Sequence, residues 1–589
     1  MVKQSVSLAL AGSGGAGVMT IGELLLGAAA HAGWYGLFSR LSGAQVRGGE
    51  AAALLTLSAR PVESAPDVYD LLVAIDWGNV ERFVAEIPLA AASLIVGDPK
   101  QGETPAVLAA SGARRHGVAL AELAGRIPGA RANMIALGLV AGLIGLPLAD
   151  VIADARRRLT GKGPAVVTAA EAAIELGAAQ APAVGATLAL GAAPPRGPRW
   201  LLSGNEAAAA GALRGGVRFV AGYPITPATE MLEWMAPHLP RLGGVLVQAE
   251  DELAAVNMII GGAYGGVPAM TVTSGPGLSL MVESLGLAVA AEIPVVVVDV
   301  QRGGPSTGIP TKSEQSDLDL AVHGVHGDAP HLVLAPVSLA DTLPTAQWAV
   351  ELAEGLQTPA ILLSDQAVGQ GRAVIDALPG PESAPARIVA TPGAEGAYRR
   401  YAVTPSGVSP MAVPGTPGGA WVADGLTHNE TGHPSSAARD HHAQLDKRRH
   451  KLDAHDFGDR WALIEGTGPH AIIAWGSTVG PVREAIARLA ADGVACRLIA
   501  PRVLAPVQRR RLAAALAGAE RAIVVEQNQT AQLWRLLRGE CELPVALASF
   551  ARPGPLPFRP GEIVARLREW LAAPPGATNA ALRSSKEVA

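Results

Sequence analysis

The fold is decided by the stretch that begins with Gly222-Tyr223-Pro224-Ile225-Thr226-Pro227 and ends at Lys312. Within it, polar loops rich in Gly and Pro follow short apolar runs, at Gln248–Glu252 (QAEDE), Thr273–Gly277 (TSGPG) and Gln301–Gly308 (QRGGPSTG). Polar loops at the carboxyl ends of parallel strands are the usual way in which an α/β sheet builds a ligand site. The stretch therefore predicts one half of a site, and we find no second stretch in the chain that supplies the other half.

The same alternation continues on both sides of this stretch and predicts a parallel sheet with crossover helices over residues 200–375. Gly204-Asn205-Glu206-Ala207 is expected to begin a helix. The predicted strands are Val217–Ala221, Gly244–Val247, Ala269–Val272, Val295–Val300, His331–Leu334 and Ala360–Leu363. Strands that alternate with helical patterns in this way are typical of a parallel sheet covered by helices.

Residues 1–180 form a separate predicted α/β unit. Residues 4–11 predict a strand, Gly12–Gly17 a glycine loop and the next residues a helix, which is the context of a dinucleotide-binding fingerprint. A dinucleotide site also needs an acidic residue about 20 positions after the loop. Glu23 is the only acid between Gly17 and Glu50. NAD and FAD are therefore disfavoured, and a phosphate site or a tight turn without a ligand remains.

A second polar loop, Ser42–Glu50, carries Arg47 next to Gly48 and Gly49. A guanidinium beside bare backbone amides can bind an anionic group. The same residues are equally compatible with a surface turn, so both interpretations stay open at this point.

The remaining segments complete the prediction of an α/β protein with three α/β domains. Residues 181–199 are rich in Ala, Gly and Pro and predict a linker, and residues 376–459 predict an irregular, solvated connector. The histidines of that connector lack the spacing of tetrahedral metal ligands, so we expect no metal site there. Residues 460–572 predict the third α/β unit, and residues 573–589 a frayed tail.

Composition narrows the class of protein. The chain has 589 residues, a formal net charge of -5 and 49% hydrophobic residues, which allows several large cores and disfavours a nucleic-acid partner. Its two cysteines cannot form a disulfide framework or a four-thiolate cluster. The N-terminus lacks a signal-peptide pattern, and the uncharged run Ala132–Ala149 predicts a buried helix that ends at Pro147 rather than a membrane span. We therefore expect a soluble, cytoplasmic protein.

Taken in order, these motifs resemble those of the 2-oxoacid:ferredoxin oxidoreductase family, and in particular an α chain fused behind a γ domain, as in two-subunit 2-oxoglutarate synthases. Gly12–Gly17 and Arg47-Gly48-Gly49 resemble the γ domain. The motifs that resemble the pyrimidine-binding domain of the α chain are Gly222–Pro227, Thr273–Gly277, Gly303–Gly308 and Gln315-Ser316-Asp317. Residues 460–572 are similar to a transketolase C-terminal-like domain.

The resemblance implies thiamine diphosphate chemistry: decarboxylation of a 2-oxoacid, electron transfer to ferredoxin through iron–sulfur clusters, and acyl transfer to coenzyme A. Glu252 matches the carboxylate that hydrogen-bonds N1′ of the thiamine aminopyrimidine and so activates the cofactor. Acids in the first turn of a helix also complement its dipole, which is the alternative explanation of Glu250-Asp251-Glu252. The cofactor-binding residues that the resemblance implies are Tyr223, Pro224, Ile225, Glu252, Ser274 and Gly275.

The carboxylate of a 2-oxoacid needs a cation, and Arg302 follows a predicted strand where such a residue is expected. Thr226 is a second candidate, and Thr311 and Lys312 can reach the second carboxylate if the substrate is 2-oxoglutarate. A surface arginine and a solvated lysine are the alternatives. In the family, closure around coenzyme A involves the γ domain, and its candidates here are Ser42, Arg47 and Gly48.

The chain also departs from the full pattern of the family. It lacks the Gly-Asp-Gly…Asn motif that holds Mg²⁺ and the diphosphate, and it lacks four cysteines for a [4Fe–4S] cluster. The resemblance therefore implies a β subunit that carries the Mg²⁺–diphosphate site and the cluster, with ferredoxin as electron acceptor. The expected assembly is a dimer of αβ pairs with thiamine diphosphate at the α–β interface. No metal is expected in this chain.

The function that follows from the resemblance is the conversion of 2-oxoglutarate to succinyl-CoA, with reversal for CO2 fixation, as in a reductive TCA cycle, left open. The same chemistry on pyruvate, branched-chain or aryl 2-oxoacids is the first alternative. A non-catalytic subunit that binds coenzyme A or a nucleotide is the second, and a thiamine-dependent transketolase or synthase is the third.

Overall fold

The computed structural model describes residues 3–43, 49–78, 80–185, 188–195, 197–380, 387–391 and 398–574. The chain divides into two compact units. The first unit comprises Met1–Ser203, Gln370–Pro379 and Arg559–Gly561. The second unit comprises Gly204–Gly369, Gly380–Phe558 and Glu562–Ala589.

Strands and helices alternate along most of the described chain. The strands are β1 (Ser5–Ser13), β2 (Tyr35–Ser42), β3 (Glu50–Ser58), β4 (Leu71–Ala74), β5 (Leu94–Gly97), β6 (Arg114–Gly117), β7 (Arg199–Ser203), β8 (Phe219–Gly222), β9 (Val245–Gln248), β10 (Ala269–Thr273), β11 (Val296–Gln301), β12 (Leu332–Leu334), β13 (Ala360–Asp365), β14 (Arg372–Asp376), β15 (Ala462–Glu465), β16 (His470–Ala474), β17 (Cys496–Pro501), β18 (Val503–Ala505), β19 (Arg521–Glu526) and β20 (Leu547–Ala551). The α-helices are α1 (Val18–Ala32), α2 (Ala106–Ala109), α3 (Leu120–Gly125), α4 (Ala132–Ile144), α5 (Leu148–Leu159), α6 (Pro164–Ala178), α7 (Gly204–Arg214), α8 (Thr229–His238), α9 (Glu252–Tyr264), α10 (Gly275–Ala290), α11 (Leu318–His323), α12 (Leu339–Leu356), α13 (Gln366–Gln370), α14 (Ala438–Asp453), α15 (Val479–Ala491), α16 (Arg509–Ala515), α17 (Gln532–Glu540) and α18 (Pro560–Ala572).

The first unit is built on one mixed sheet with the strand order β6-β5-β4-β1-β3-β2-β14-β7. β1, β4, β5 and β6 pair in parallel, whereas β3, β2, β14 and β7 extend the sheet by antiparallel pairs. Between β1 and α1 the chain turns at Gly15 and Gly17, whose φ angles of 105° and 86° favour glycine. The predicted strand, glycine loop and helix are therefore confirmed. The structure adds the strand β2 to the prediction, because the sequence analysis predicted no strand between the first helix and the polar loop at Ser42.

The second unit does not include the ends of the range 200–375 that was predicted as one domain. β7 and β14 pair with each other in the sheet of the first unit, with Arg199 opposite Asp376 and Ser203 opposite Arg372. β14 also pairs with Phe38 of β2 through Arg372. The chain thus leaves the first sheet after Ser203 and returns to it at Arg372, inside the boundaries that the sequence suggested.

The larger sheet of the second unit has the order β18-β12-β13-β11-β10-β8-β9. From β12 to β9 all neighbours pair in parallel, and every strand predicted in this stretch is present. β18 is the exception, because it pairs antiparallel with β12 and comes from the segment predicted as the third domain. The third domain therefore contributes an edge strand to the second sheet.

The smaller sheet of the second unit has the order β15-β17-β16-β19-β20 and is parallel apart from β15. The strands predicted near 471–475, 495–499 and 522–525 are β16, β17 and β19. The side chain of Gln315 links the two sheets of this unit, since its Nε2 donates to the carbonyl of Trp475 at 2.7 Å. Asn528 Nδ2 in turn donates to the carbonyl of Gln315 at 3.1 Å. The α/β fold class with three sheets is confirmed.

Helix α4 forms the uncharged stretch that the sequence predicted as a buried helix. It ends at Ile144, where Gly145 adopts a φ of 72° as a left-handed cap. The helix therefore ends before Pro147, the residue at which the sequence predicted its end. Among the described residues, we find no helix with both the length and the apolar character needed to cross a membrane.

The predicted solvated connector 376–459 is wrong in its last part. α14 is a helix of 16 residues, and its side chains Lys447, Arg448 and Lys451 are buried. Their counter-charge is Glu292, which is 0% exposed and 155 positions away from Lys447. The sequence alone predicts that a charged helix is solvated, because a counter-charge as distant in the chain as Glu292 cannot be recognised from the sequence.

The cluster around Glu292 is a buried ion-pair network. Glu292 accepts hydrogen bonds from Lys447 Nζ at 2.5 Å and Lys451 Nζ at 3.1 Å, and its carbonyl accepts one from Arg400 at 2.7 Å. Burial alone would raise the pKa of the Glu292 carboxyl, but the charges of Lys451, Lys447 and Arg400 hold it well below its usual range. Burial lowers the pKa of Lys447 to about 8 against the opposing effect of Glu292. One carboxylate thus serves several buried cations.

Replacing Glu292 by Gln should strongly destabilise the second unit. The substitution leaves Lys447 and Lys451 buried without their counter-charge, which costs about 3–5 kcal/mol of unfolding free energy. Urea unfolding followed by tryptophan fluorescence measures the loss. Glu283→Gln is the matched control, because Glu283 lies on the preceding helix α10 and is exposed. Equal unfolding midpoints for the two variants would contradict the prediction.

Candidate functional site

Four loops leave the larger sheet of the second unit at the same edge, because the strands before them are parallel neighbours. β8 ends at Gly222, β9 at Gln248, β10 at Thr273 and β11 at Gln301. These are the strands after which the sequence analysis placed its polar loops. We call these loops the half-site: Tyr223–Pro227, Ala249–Asp251, Ser274 and Arg302–Ser316.

Glu252 is the first residue of α9 and is 6% exposed. Asp251, not Glu252, caps this helix, since its carboxylate accepts from the amide of Ala254 at 2.7 Å. The Glu252 side chain lies against the start of α10, where a methyl group added to Gly277 would be 2.6 Å from its Oε1. No hydrogen bond from the described residues reaches its carboxyl oxygens. Glu252 is therefore not the helix cap, but its place in the first turn still complements the helix dipole.

Arg302 is not a surface arginine, because it is 6% exposed. Its guanidinium donates to the carbonyl of Thr226 and, at 2.6 Å, to the carbonyl of Thr307. Its Nε is buried and has no partner among the described residues. Arg302 therefore ties two loops of the half-site together and keeps N–H groups that these bonds do not use.

The charges of three carboxyl groups act on the Arg302 guanidinium. Burial lowers the pKa of Arg302, and the charges of Asp317, Asp299 and Glu252 oppose that effect. Asp299 is 0% exposed, and neither of its carboxyl oxygens has a hydrogen-bond donor among the described residues; the same is true of Oδ2 of Asp317. Burial and the neighbouring Asp317 raise the pKa of Asp299 well above its usual range, and burial raises the pKa of Asp317 to about 7.

Sequence reasoning missed Asp299 and named Asp317 only as part of a motif. We call these two residues the acid pair. A signal was present, because Asp299 is the one charged side chain in the otherwise aliphatic run Val295–Val300. Acids are rarely buried in a parallel strand unless they have a partner.

The other predicted residues of the half-site differ in exposure. Tyr223, Pro224 and Thr226 are exposed, and Ile225 is half-buried. Ser274 is fully buried and its Oγ lacks a partner among the described residues, while Gly275 begins α10. Thr311 and Lys312 are half-buried. They lie in a loop that returns to the end of β11, where the Gly303 amide donates to the Lys312 carbonyl at 3.0 Å.

The candidates for coenzyme A lie in the first unit. Ser42 is the last residue of β2 and is half-buried, and Arg47 and Gly48 lie outside the described residues. In the nearby glycine loop, Asp76 accepts hydrogen bonds from the amide of Ser13 at 3.0 Å and from its hydroxyl at 2.7 Å. This amide is already bound to a carboxylate, so it is not free to bind a phosphate.

The histidine-rich segment shows no metal-binding arrangement. Within the ranges that the structure describes, no group of three or more His, Cys, Asp or Glu side chains is placed to hold a metal ion. His428 is buried against the Tyr401 ring with centroids 3.8 Å apart, and its Nδ1 lies 2.9 Å from the Leu426 carbonyl. This histidine therefore has a packing role.

Three family models match consecutive parts of the chain. Residues 7–180 match the pyruvate ferredoxin/flavodoxin oxidoreductase model. Residues 210–447 match the thiamine diphosphate-binding model of pyruvate flavodoxin/ferredoxin oxidoreductase. Residues 463–531 match the C-terminal domain of transketolase.

Subunits of 2-oxoglutarate oxidoreductases are similar to this chain over long alignments. The 2-oxoglutarate synthase subunit KorA of Methanothermobacter marburgensis is 38% identical over 344 residues, which cover 56% of this chain and 88% of that protein. The chain belongs to the 2-oxoacid:ferredoxin oxidoreductase family. The 2-oxoglutarate oxidoreductase subunit KorA of Mycobacterium tuberculosis is 37% identical, over 60% of this chain and 56% of that protein.

A solved member of the family has the same fold over nearly the whole chain. It is a 2-oxoglutarate:ferredoxin oxidoreductase from Magnetococcus marinus with 2-oxoglutarate, coenzyme A and succinyl-CoA bound. The TM-score is 0.89 at 35% identity, covering 96% of this chain and 99% of that chain. The predicted identity as an oxidoreductase α subunit with a fused γ domain is thereby confirmed.

Replacing Gly277 by Ala should lower 2-oxoacid-dependent viologen reduction by the assembled enzyme about 100-fold, because the added methyl group would overlap Thr273 Oγ1 and the Glu252 side chain and so displace the carboxylate. Gly286→Ala on the same helix is the matched control, since its methyl group would meet only Val325 Cγ1, at 3.6 Å. Full activity of Gly277→Ala would show that the position of Glu252 is not needed for turnover.

Proposed function

We propose that this chain is the α subunit of a 2-oxoglutarate:ferredoxin oxidoreductase that forms succinyl-CoA and passes electrons to ferredoxin. The observation that carries the proposal is the half-site, in which the buried carboxylate of Glu252 and the buried guanidinium of Arg302 lie at one sheet edge. The 2-oxoglutarate names of the relatives support this substrate over pyruvate or branched-chain 2-oxoacids. Reversal of the reaction for CO2 fixation is part of the proposal.

The residues of the half-site fit the aminopyrimidine end of thiamine diphosphate. Glu252 would hold the proton shared with N1′, because its oxygens accept no other hydrogen bond from the described residues. Gly277 lets the Glu252 side chain pack closely against the start of α10, where any larger residue would collide with it. Ser274 and Gly275 at the start of α10 and the exposed loop Tyr223–Ile225 would line the ring. When bound, the cofactor supplies the electron sink for breaking the bond between the oxoacid carbonyl and its carboxylate.

Arg302 would bind the carboxylate of the oxoacid. Its bonds to Thr226 and Thr307 fix the guanidinium, so that its remaining N–H groups keep one orientation. The exposed hydroxyl of Thr226 would add a second donor, and Thr311 and Lys312 would bind the distal carboxylate of 2-oxoglutarate.

A β subunit would complete the site. Large apolar side chains stay exposed in or next to the half-site loops, namely those of Tyr223, Leu253, Leu280 and Ile309, which are 39–48% exposed. Exposed apolar groups beside a functional edge suit an interface with another subunit. The chain has two cysteines and no Gly-Asp-Gly motif, so the partner would supply the Mg²⁺–diphosphate site and the [4Fe–4S] cluster. The proposed assembly is a dimer of αβ pairs in the cytoplasm.

Coenzyme A would bind through the first unit. Ser42, Arg47 and Gly48 remain its proposed contacts, because a diphosphate suits a guanidinium with nearby amides. Co-purification of this chain with its β subunit, followed by viologen reduction with a panel of 2-oxoacids, tests the proposal as a whole. Activity that needs both 2-oxoglutarate and coenzyme A is expected, and a thiamine-free, colourless single chain would overturn it.

Glu252→Gln should lower turnover by at least about 100-fold while the complex still assembles, because the amide keeps the shape and cannot exchange the proton. Viologen reduction and size-exclusion chromatography measure the two effects. Glu250→Gln, which changes an exposed acid two positions earlier, should leave turnover unchanged. If both variants turn over normally, another group performs the proton transfer.

Arg302→Ala should raise KM for 2-oxoglutarate about 10- to 100-fold, because a charge-assisted hydrogen bond is lost. The KM for coenzyme A should change little, and Arg302→Lys should recover part of the loss. Steady-state kinetics of the αβ complex measure both constants. Equal increases for both substrates would mean that Arg302 serves only to hold the Thr226 and Thr307 loops.

A further inference from the structure

The carboxyl groups of the acid pair, Asp299 and Asp317, are buried, and the proposed reaction gives them no role. Both oxygens of Asp299 and Oδ2 of Asp317 are buried and find no hydrogen-bond donor among the described residues. They lie side by side, because Asp317 Oδ2 faces Gly275, two residues after Thr273, which is the register partner of Asp299. A hydrogen bond between the two carboxyl groups also shifts the pKa of each. Two carboxyl groups in contact can make that bond only if one of them carries a proton.

The position of Asp317 is fixed from two sides. Its amide donates to Oε1 of Gln301 at 3.1 Å, which holds the residue against the end of β11. Its carboxyl group also lies against the start of α10, since a methyl group on Gly275 would be 2.5 Å from Asp317 Oδ2. Asp299 is held in β11 by parallel pairing to Thr273 of β10. The pair cannot separate to relieve its repulsion without disturbing these contacts.

The charged groups that face the pair are few. Arg302 attracts both carboxylates, and Glu314 adds a negative charge beside Asp317. Glu252 acts on the same Arg302 guanidinium. With one proton on the pair, the three carboxyl groups around Arg302 carry two negative charges, and without it they carry three. The proton therefore decides how negative the surroundings of the guanidinium are.

We propose that Asp299 and Asp317 share one proton and act as positioning residues, so that Arg302 binds an oxoacid anion only while the pair keeps that proton. The O–H of one carboxyl donates to the carboxylate of the other, and loss of the proton to solvent leaves two carboxylates in contact. This inference rests on the proposed role of Arg302. It adds a pH-dependent control of substrate affinity to that role.

The sign of the pH dependence follows from proton linkage. An anion at Arg302 favours the protonated pair, so its affinity falls once the pH exceeds the pKa at which the pair, as a unit, loses its last proton. The KM for 2-oxoglutarate should then rise by up to about tenfold per pH unit. The KM for coenzyme A should not follow this rise, because its proposed contacts lie in the other unit.

The test measures both KM values in the αβ complex from about pH 6 up to the highest pH at which the complex stays active. Asp317→Asn and Asp299→Asn replace the shared proton by an amide donor that cannot be lost, so the oxoacid KM should become independent of pH in this range. Asp319→Asn is the matched control, since Asp319 lies in α11, the helix that begins directly after Asp317, and pairs with Arg535 at 3.2 Å. It should keep the wild-type slope. Glu314→Gln should also keep the slope, with the rise moved to lower pH, because it removes a negative charge that raises the pKa of Asp317. A flat wild-type profile, or the same slope in the Asn variants, would overturn the proposal.

Infrared difference spectra of wild type against Asp317→Asn test the shared proton without substrate. The carbonyl stretch of a protonated carboxyl group should be present in the wild type at neutral pH, and its absence would overturn the proposal. Arg302→Ala separates this result from the proposed function. If that variant leaves the oxoacid KM unchanged while the infrared band is present, the substrate role of Arg302 fails and the control of affinity fails with it, but the shared proton stands.

Discussion

The parallel pairing of β10 with β11 is the constraint on which the half-site depends. It sets Thr273 opposite Asp299, so that Ser274 on one strand and Arg302 on the other both lie just beyond the same edge. Successive side chains of a strand point to opposite faces, and a slip of one residue would turn Asp299 away from Asp317. The aliphatic residues of β11 are fully buried with the rest of the core, which makes such a slip costly. Core packing therefore fixes the chemistry at the edge.

The protein accommodates buried charge in two different ways. Around Glu292, several cations share one carboxylate, and the excess positive charge is relieved by carbonyl acceptors such as that of Gln357, which binds Lys451 at 2.8 Å. Around Arg302, acids outnumber the cation, and the excess negative charge is relieved by a proton. In the first arrangement the Glu292 carboxylate and both lysine ammonium groups are paired within the fold. In the second, the balance of charge depends on the proton that the acid pair shares.

Sequence reasoning predicted the elements better than their long-range partners. The strands of the larger sheet, the loops after them, and the placement of Glu252 and Arg302 could be predicted, because these depend on local patterns of apolar and turn residues. The acid pair could not, since its contact joins a strand to a loop residue 18 positions later whose path is set by Gln301. The buried charges of α14 could not either, because a helix of mixed charge has the same pattern whether water or Glu292 faces it. Ser42 lies at the end of β2, and its role in binding coenzyme A stays a prediction, as do those of Arg47 and Gly48.

The strand order of the first sheet has a consequence for biosynthesis. β7 joins this sheet through β14, which lies between it and β2. While the ribosome is still making the residues between Ser203 and Arg372, β2 is an open edge with nothing to pair with. At ordinary elongation rates this interval lasts on the order of 10 s. The nascent chain must therefore protect an exposed β-edge during translation, and the hydrophobic strands behind it are the region in which premature association between neighbouring chains would begin.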